Sequence, residues 1–285
     1  MQVHNEENIV EQALRCLYPY VDTLIVLDDA STDETSRILK ELQRELPNLT
    51  LIFNEVPSEL PGQSVANYET LLRAARKLRG THFIVMNVDE IISSNCLSNN
   101  LLRNEILNLK PGEQLKLPLI HVWGSTHEYR VNRSANETRN NFCSIFCDMK
   151  KASYKKVTDV DWRLPSPLKN KVYTAPSACV VLQYSYADFD NALIKKALYQ
   201  CLELARGHKS VDLINQSYRT HMKEEVALLD MHDEQWKTDY PYFDPDVYSL
   251  PNYACELEVY DLFNKYGKEF FKDLDIWDID WEFDS

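Results

Sequence analysis

Thr23-Leu24-Ile25-Val26-Leu27-Asp28-Asp29-Ala30-Ser31-Thr32-Asp33-Glu34 changes character halfway along its length. Its first half is short, apolar and partly β-branched, the pattern of a buried strand; the acidic and hydroxyl residues that follow break the strand and cap a helix. Downstream, Ile38, Leu39 and Leu42 recur at helical spacing until Pro47, and Leu49-Thr50-Leu51-Ile52-Phe53 reads as a second buried strand. After a loop with Pro57, Pro61 and Gly62, Val65 to Leu78 is helical, Gly80 is placed to end that helix, and His82-Phe83-Ile84-Val85-Met86 is the next strand. Upstream, Ile9, Val10, Ala13, Leu14 and Leu17 give a first helix, with Asn5 in a cap-like position before Glu6-Glu7. Strands alternating with helices predict an α/β fold with a mostly parallel sheet flanked by helices. In such sheets ligands sit at the carboxyl ends of the strands, where both acidic clusters of this segment fall.

Beyond Ile91 the alternation is lost. A helix is expected around Leu101 to Leu107, strands near Leu115-Leu119 and Ala178-Tyr184, and helices at Ala192 to Ala205, Val211 to Met222 and Glu256 to Tyr266. The Trp-rich stretch Leu274 to Trp281 is expected to pack, since aromatics at that density seek burial. This divides the chain into residues 1–110, an α/β part, and 111–285, a mixed and helical extension of the same domain.

A chain of 285 residues is long enough to bury a full core. Asp and Glu outnumber Lys and Arg by 44 to 31, a balance that repels a phosphate backbone and argues against nucleic acid as a partner. No apolar run is long enough for a transmembrane segment, and Met1 to Glu7 lacks the layout of a signal peptide, so a cytoplasmic protein is expected. The seven cysteines are scattered without paired spacing, which suits reduced, buried thiols better than a zinc site or a disulfide framework.

Two clusters carry candidate chemistry. Asp28 and Asp29 can accept hydrogen bonds from a nucleotide's base N–H or ribose hydroxyls, with Ser31 and the following helix start supplying donors; a solvated helix cap explains them equally well. In Asn87-Val88-Asp89-Glu90, if the strand continues, alternation turns residues 87 and 89 to one side, where two oxygen ligands can share a hard cation bound to a diphosphate. An ordinary polar strand end is the plainer reading of that cluster taken alone.

The order and spacing of the motifs add to this. Asn5-Glu6-Glu7, then Val26 to Thr35, then Gly62-Gln63-Ser64-Val65-Ala66-Asn67, then Thr81 to Glu90 resembles the ordered signature of family 2 glycosyltransferases of the GT-A fold. Leu117 to Ser125 and Leu274 to Trp277 are similar, more loosely, to a bacterial and viral subgroup. The resemblance implies that Asn5, Glu6, Asp28, Asp29, Ser31, Gln63 and Asn67 lie on the nucleotide side of the site, and that Asp89 with Asn87 holds Mn²⁺ or Mg²⁺. It implies a GT-A-like enzyme that moves a hexosyl or deoxyhexosyl group from a nucleoside diphosphate sugar to a glycan, a lipid-linked glycan or another hydroxyl acceptor, with inversion. UDP is the default nucleotide and GDP the other. Two residues depart from the family pattern: Asn87 where Asp is common, and Gln183 where the subgroup often has His. Only Met1 to His4 precede the asparagine motif, so the first strand is expected to be short.

Inverting transfer needs a base for the acceptor hydroxyl. Asp159 and Asp161, beside Trp162, are the candidates, and Glu90 competes with them. His121, Trp123 and His127 are candidates for an acceptor cleft, though packing explains such residues as well. Lys195 and Lys196 head an amphipathic helix and can reach a diphosphate, or simply form its solvated face; His221 is a weaker candidate for a metal shell, and His4 reads as structural. Two rivals stand beside the transferase: a nucleotidyltransferase, which lacks its usual Gly-rich basic loop here, and an inactive sugar-nucleotide or glycan-binding module, for which Asn87 argues.

Overall fold

The computed structural model describes residues 1–131, 142–154, 163–219, 226–231, 236 and 238–281, without the side chain of Cys143. Asp159, Asp161 and His221 therefore lie outside the described residues. The N-terminal part alternates as the sequence predicts: β1 (Gln2–Val3), α1 (Val10–Leu17), β2 (Leu24–Asp28), α2 (Thr35–Glu45), β3 (Leu49–Phe53) and α3 (Val65–Lys77). Strands β1, β2 and β3 form a parallel sheet in that order, with Val3 beside Asp28 and Asp28 beside Phe53. Helix formation here follows burial. Val10, Ala13, Leu14 and Leu17 of α1 and Leu39 and Leu42 of α2 share one core with Leu24 and Val26 of β2, so each helix buries its apolar stripe against the sheet. The α/β class with parallel strands and flanking helices is thus the one observed.

Next come β4 (His82–Ile84), β5 (Glu90–Ile92), α4 (Leu101–Asn108), β6 (Gln114–Lys116), β7 (Leu119–Trp123), β8 (Glu128–Arg130), β9 (Cys143–Cys147), β10 (Val172–Thr174) and β11 (Val181–Tyr186). Then α5 (Phe189–Arg206), α6 (Val211–Arg219), β12 (Leu228–Asp230) and α7 (Tyr253–Tyr266) complete the described α-helices and strands. Strands β10-β6-β9-β4 form one mixed sheet and β12-β8-β7-β11-β5 another. Helices α5, α6 and α7 enclose a second core through Ala197, Leu198, Ile214, Cys255, Val259 and Phe263, closed by Leu274, Ile276 and Trp281. The Trp-rich stretch therefore packs, as its composition requires. Among the described residues, no helix is long and apolar enough to cross a membrane. The six cysteines with described side chains are buried and unbonded.

Several local expectations are corrected. Strand β4 ends at Ile84 and pairs antiparallel with β9, outside the parallel sheet, and Asn87 to Glu90 is a tight turn in which the Glu90 amide donates to the Asn87 carbonyl at 3.4 Å. The expected strand at Leu115-Leu119 is split between two sheets at Pro118, which has no N–H to continue a ladder. Asn5 is not the cap of α1, which begins at Val10; it takes a left-handed φ of 52°. At the end of α3 it is Arg79 that adopts positive φ, 62°. Gly80 is needed for another reason, because a Cβ there would lie 2.7 Å from the Phe83 ring.

Candidate active site

The ends of several elements meet around a cavity of about 260 Å³: the residues after β1, the Gly62-Gln63 loop, the turn between β4 and β5, the end of β11, and the first turns of α5. Of the residues singled out in the sequence, Glu6, Gln63, Asn87 and Asp89 line it, with Gln183, Lys195, Lys196 and His4, the last of which reads as structural in the sequence. Asn87 and Asp89 reach it together because a turn, and not an extended strand, presents them. A second cavity of about 300 Å³ lies around Leu24, Ile25, Phe83 and Ile84. Its lining contains none of the predicted site residues, several of which gather at the smaller one.

The other predicted residues build the walls behind the cavity. Asp28 and Asp29 are buried, and their carboxylates face inward. Asp28 accepts from the Ser31 amide at 2.9 Å and from the Ser36 hydroxyl, closing the turn into α2. Asp29 accepts from the Asn54 side chain at 2.7 Å, the Ser58 amide at 3.0 Å, the Ser58 hydroxyl at 2.5 Å and the Gly62 amide at 3.3 Å. That carboxylate ties down the loop that carries Gln63. Asn67 accepts from Asn54 at 3.1 Å and donates to Gln2 at 3.3 Å, while the Ser31 hydroxyl accepts from the Asn5 amide at 3.0 Å. Asn5 is a hub: its side-chain oxygen accepts from the amides of Thr32 at 2.7 Å and Asp33 at 3.3 Å.

Two of the cations at the cavity are ion-paired, Lys195 with Glu6 and Arg163 with Glu90. Lys195 reaches from α5 to Glu6 at 2.5 Å. Burial works against the Lys195 charge, but the Glu6 carboxylate, joined by Tyr199 and Asp89, more than offsets it, and the ammonium is held well above its ordinary range. Burial pushes the Glu6 carboxyl up, and the charge and hydrogen bond of Lys195 only partly oppose it. Asp89 accepts from the Ser185 hydroxyl of β11. Glu90 is not in the lining: its side chain is fully buried, it meets Arg163 at 2.6 Å, and it accepts from the Asn87 amide at 2.9 Å. Arg163 itself lines the cavity, which brings the chain there two residues after Asp161. Of the acceptor-cleft candidates, Trp123 is buried against Tyr186, with its ring centroid 4.6 Å away, and under the Arg130 guanidinium; His121, Trp123 and His127 are not in the lining.

Among the described residues, no group of three or more His, Cys, Asp and Glu side chains comes together to hold a metal. Three carboxylates line the cavity: Glu6 is paired with Lys195, Asp188 caps the first turn of α5, and Asp89 lies with the amide side chains of Asn87 and Gln183. That donor set fits a hard cation held chiefly by a diphosphate and water, and does not fit an all-protein cage. Sequence reading missed Arg163, Tyr199, Asn252 and Glu258. All four come from outside the N-terminal motifs, and no local pattern distinguishes a helix-face Glu that turns inward from one that is solvated.

Residues 1–103 match the model of the family described as glycosyl transferase family 2. No curated protein matches the chain. Among solved structures, S. aureus TarS 1-349 is 14% identical over 75% of this chain and 67% of that one, with a TM-score of 0.44. The same TarS fragment in complex with UDP is 12% identical over 96% and 81%, with a TM-score of 0.45. The mannosyltransferase PcManGT from Pyrobaculum calidifontis, in complex with GDP-Man and Mn²⁺, is 13% identical over 94% and 73%, with a TM-score of 0.44.

Proposed function

We propose that this chain, whose first 103 residues match glycosyl transferase family 2, moves a sugar from a nucleoside diphosphate donor, UDP by default, to a hydroxyl acceptor with inversion. The observation that carries the reading is the cavity itself. It collects Glu6, Gln63, Asn87 and Asp89 from three separate motifs of the matched region and sets Lys195 and Arg163 among them. A donor diphosphate needs cationic partners, and Lys195 supplies one by exchanging Glu6 for phosphate oxygens. Gln63 and Glu6 offer polar atoms to the nucleoside, on a loop and a turn fixed by Asp29 and Asn5. Mn²⁺ or Mg²⁺ held through Asp89 and Asn87 would neutralise charge on the departing diphosphate. A carboxylate base, one of Asp159 and Asp161, takes the acceptor's proton as its oxygen bonds to the anomeric carbon and the diphosphate leaves from the opposite face. A glycan or lipid-linked glycan is the proposed acceptor.

Titration calorimetry with UDP and GDP, in the presence of Mn²⁺, tests the reading. Binding of one of them is expected; no heat with either at millimolar concentration would remove its main support. Asp29→Ala is expected to weaken that binding by roughly 1.5–3 kcal/mol, because it deletes the charged acceptor that anchors the Gln63 loop. Affinity equal to the wild type would move the nucleoside elsewhere.

The metal has its own test. Asn87→Asp adds a second carboxylate at the turn and is expected to tighten Mn²⁺ binding in the presence of UDP by about tenfold, a charged ligand replacing a neutral oxygen. The electron paramagnetic resonance signal of free Mn²⁺ reads this without turnover. An unchanged Mn²⁺ affinity would mean that residue 87 does not face the cation.

A further inference from the structure

Residues 4 and 5 are held by a helix far away in the chain. Glu258 of α7 lies 2.8 Å from His4 Nε2, and the same oxygen, Oε1, accepts from the Asn5 side-chain amide. Asn252, which caps α7, donates to the Asn5 carbonyl at 2.9 Å. On its other side the His4 ring places Nδ1 2.8 Å from the Asp29 carbonyl oxygen. A carbonyl and a carboxylate are both acceptors, so each ring nitrogen has to donate, and only the imidazolium has two N–H groups. The orientation of the Asn5 amide is fixed by the same logic: its oxygen receives the Thr32 and Asp33 amides, which leaves its NH₂ facing Glu258.

We propose that Glu258 is a positioning residue for the nucleotide side of the cavity, holding His4 doubly protonated against the Asp29 main chain and Asn5 against the Thr32-Asp33 turn. The chain of contacts then runs from Glu258 through His4 to Asp29, and from the Asp29 carboxylate to Ser58 and Gly62, next to Gln63. This role rests on the proposal that a nucleotide binds there. The charged groups acting on His4 are Glu258 from α7 and Asp29 from the turn after β2. Burial works against the His4 charge, and the hydrogen bond and charge of Glu258, with the contribution of Asp29, more than reverse it, so His4 titrates above its ordinary range. The arrangement therefore holds while the ring carries both protons opposite the Glu258 carboxylate, and is lost as pH rises through that raised value, when the neutral ring can no longer donate on both sides.

The experiment has two readouts on the full chain. The first is the ¹⁵N chemical shifts of the His4 ring, titrated without nucleotide: both nitrogens are expected to be protonated at neutral pH in the wild type and not in Glu258→Gln. The second is UDP affinity by calorimetry across the same pH range. Glu258→Gln is expected to bind about tenfold more weakly at neutral pH, and the alkaline loss of affinity is expected to move to lower pH. A merely structural Glu258 would weaken binding without moving that inflection. A wild-type His4 with one protonated nitrogen at neutral pH overturns the proposal. So does a Glu258→Gln protein that binds UDP as the wild type does at every pH, a result that leaves the nucleotide reading standing. If the wild type binds no nucleotide, the nucleotide reading falls and takes this role with it, even where both ring nitrogens prove protonated.

Discussion

One of the Asp159→Asn and Asp161→Asn variants is expected to turn over on the order of 10²–10⁴ times more slowly than the wild type while its nucleotide affinity stays near normal. Asn keeps the shape of Asp and removes the proton acceptor, so the loss belongs in the chemical step and not in donor binding. Glu90, the competing carboxylate, is fully buried, ion-paired to Arg163 and absent from the cavity lining, a poor setting from which to receive a proton from an acceptor hydroxyl. The described residues on either side of the Asp159-Asp161 segment stand close together: the Tyr154 hydroxyl donates to the Arg163 carbonyl at 2.7 Å, and Arg163 lines the cavity. The measurement is single-turnover transfer from the donor, with nucleotide affinity determined separately. Full activity in both variants would send the search for the base back to Glu90.

The elements that were legible in the sequence are those whose own pattern decides them. Leu24 to Leu27 and Leu49 to Phe53 are short apolar runs between breakers, and α1 and α2 carry apolar residues at helical spacing; all four appear where expected. Asn87 and Asp89 do share one cavity, but the geometric reason read from the sequence does not hold, since a turn and not a continuing strand brings them there. Asp28 and Asp29 show the limit of motif reading. An acidic pair at a strand's end looks the same whether it faces a ligand or satisfies buried amides, and here its carboxylates close two loops. Lys195 and Glu258 pair with residues 189 and 254 positions away, so nothing near them in sequence distinguishes them from a solvated helix face. Such pairs become visible only when the fold brings the helices over the N-terminal motif.

Arg163→Leu is expected to cost the folded state about 3–5 kcal/mol at neutral pH, because it strips the partner from a carboxylate that is completely buried. The Leu side chain also forfeits the guanidinium's position 4.6 Å over the Phe142 ring. The pH dependence identifies the cause. Burial already pushes the Glu90 carboxyl above its ordinary range, against the opposing charge of Arg163, and without that charge it rises further. A carboxyl with a higher pKa in the folded than in the unfolded chain binds its proton more tightly when folded. The deficit of Arg163→Leu relative to wild type should therefore be fully present above the variant's further raised pKa and shrink as pH falls from it toward the value Glu90 has in the wild-type fold. Glu90→Gln added to Arg163→Leu removes the stranded charge and keeps an acceptor for the Asn87 amide, so the double variant should regain most of the loss at neutral pH and lose the pH dependence. Urea denaturation of all three proteins at neutral and mildly acidic pH measures this, each compared with wild type at the same pH so that other titrating groups cancel. A deficit that is equal at both pH values and survives the Gln substitution would mean that Arg163 stabilises the fold by packing, and that Glu90 does not depend on it for its charge.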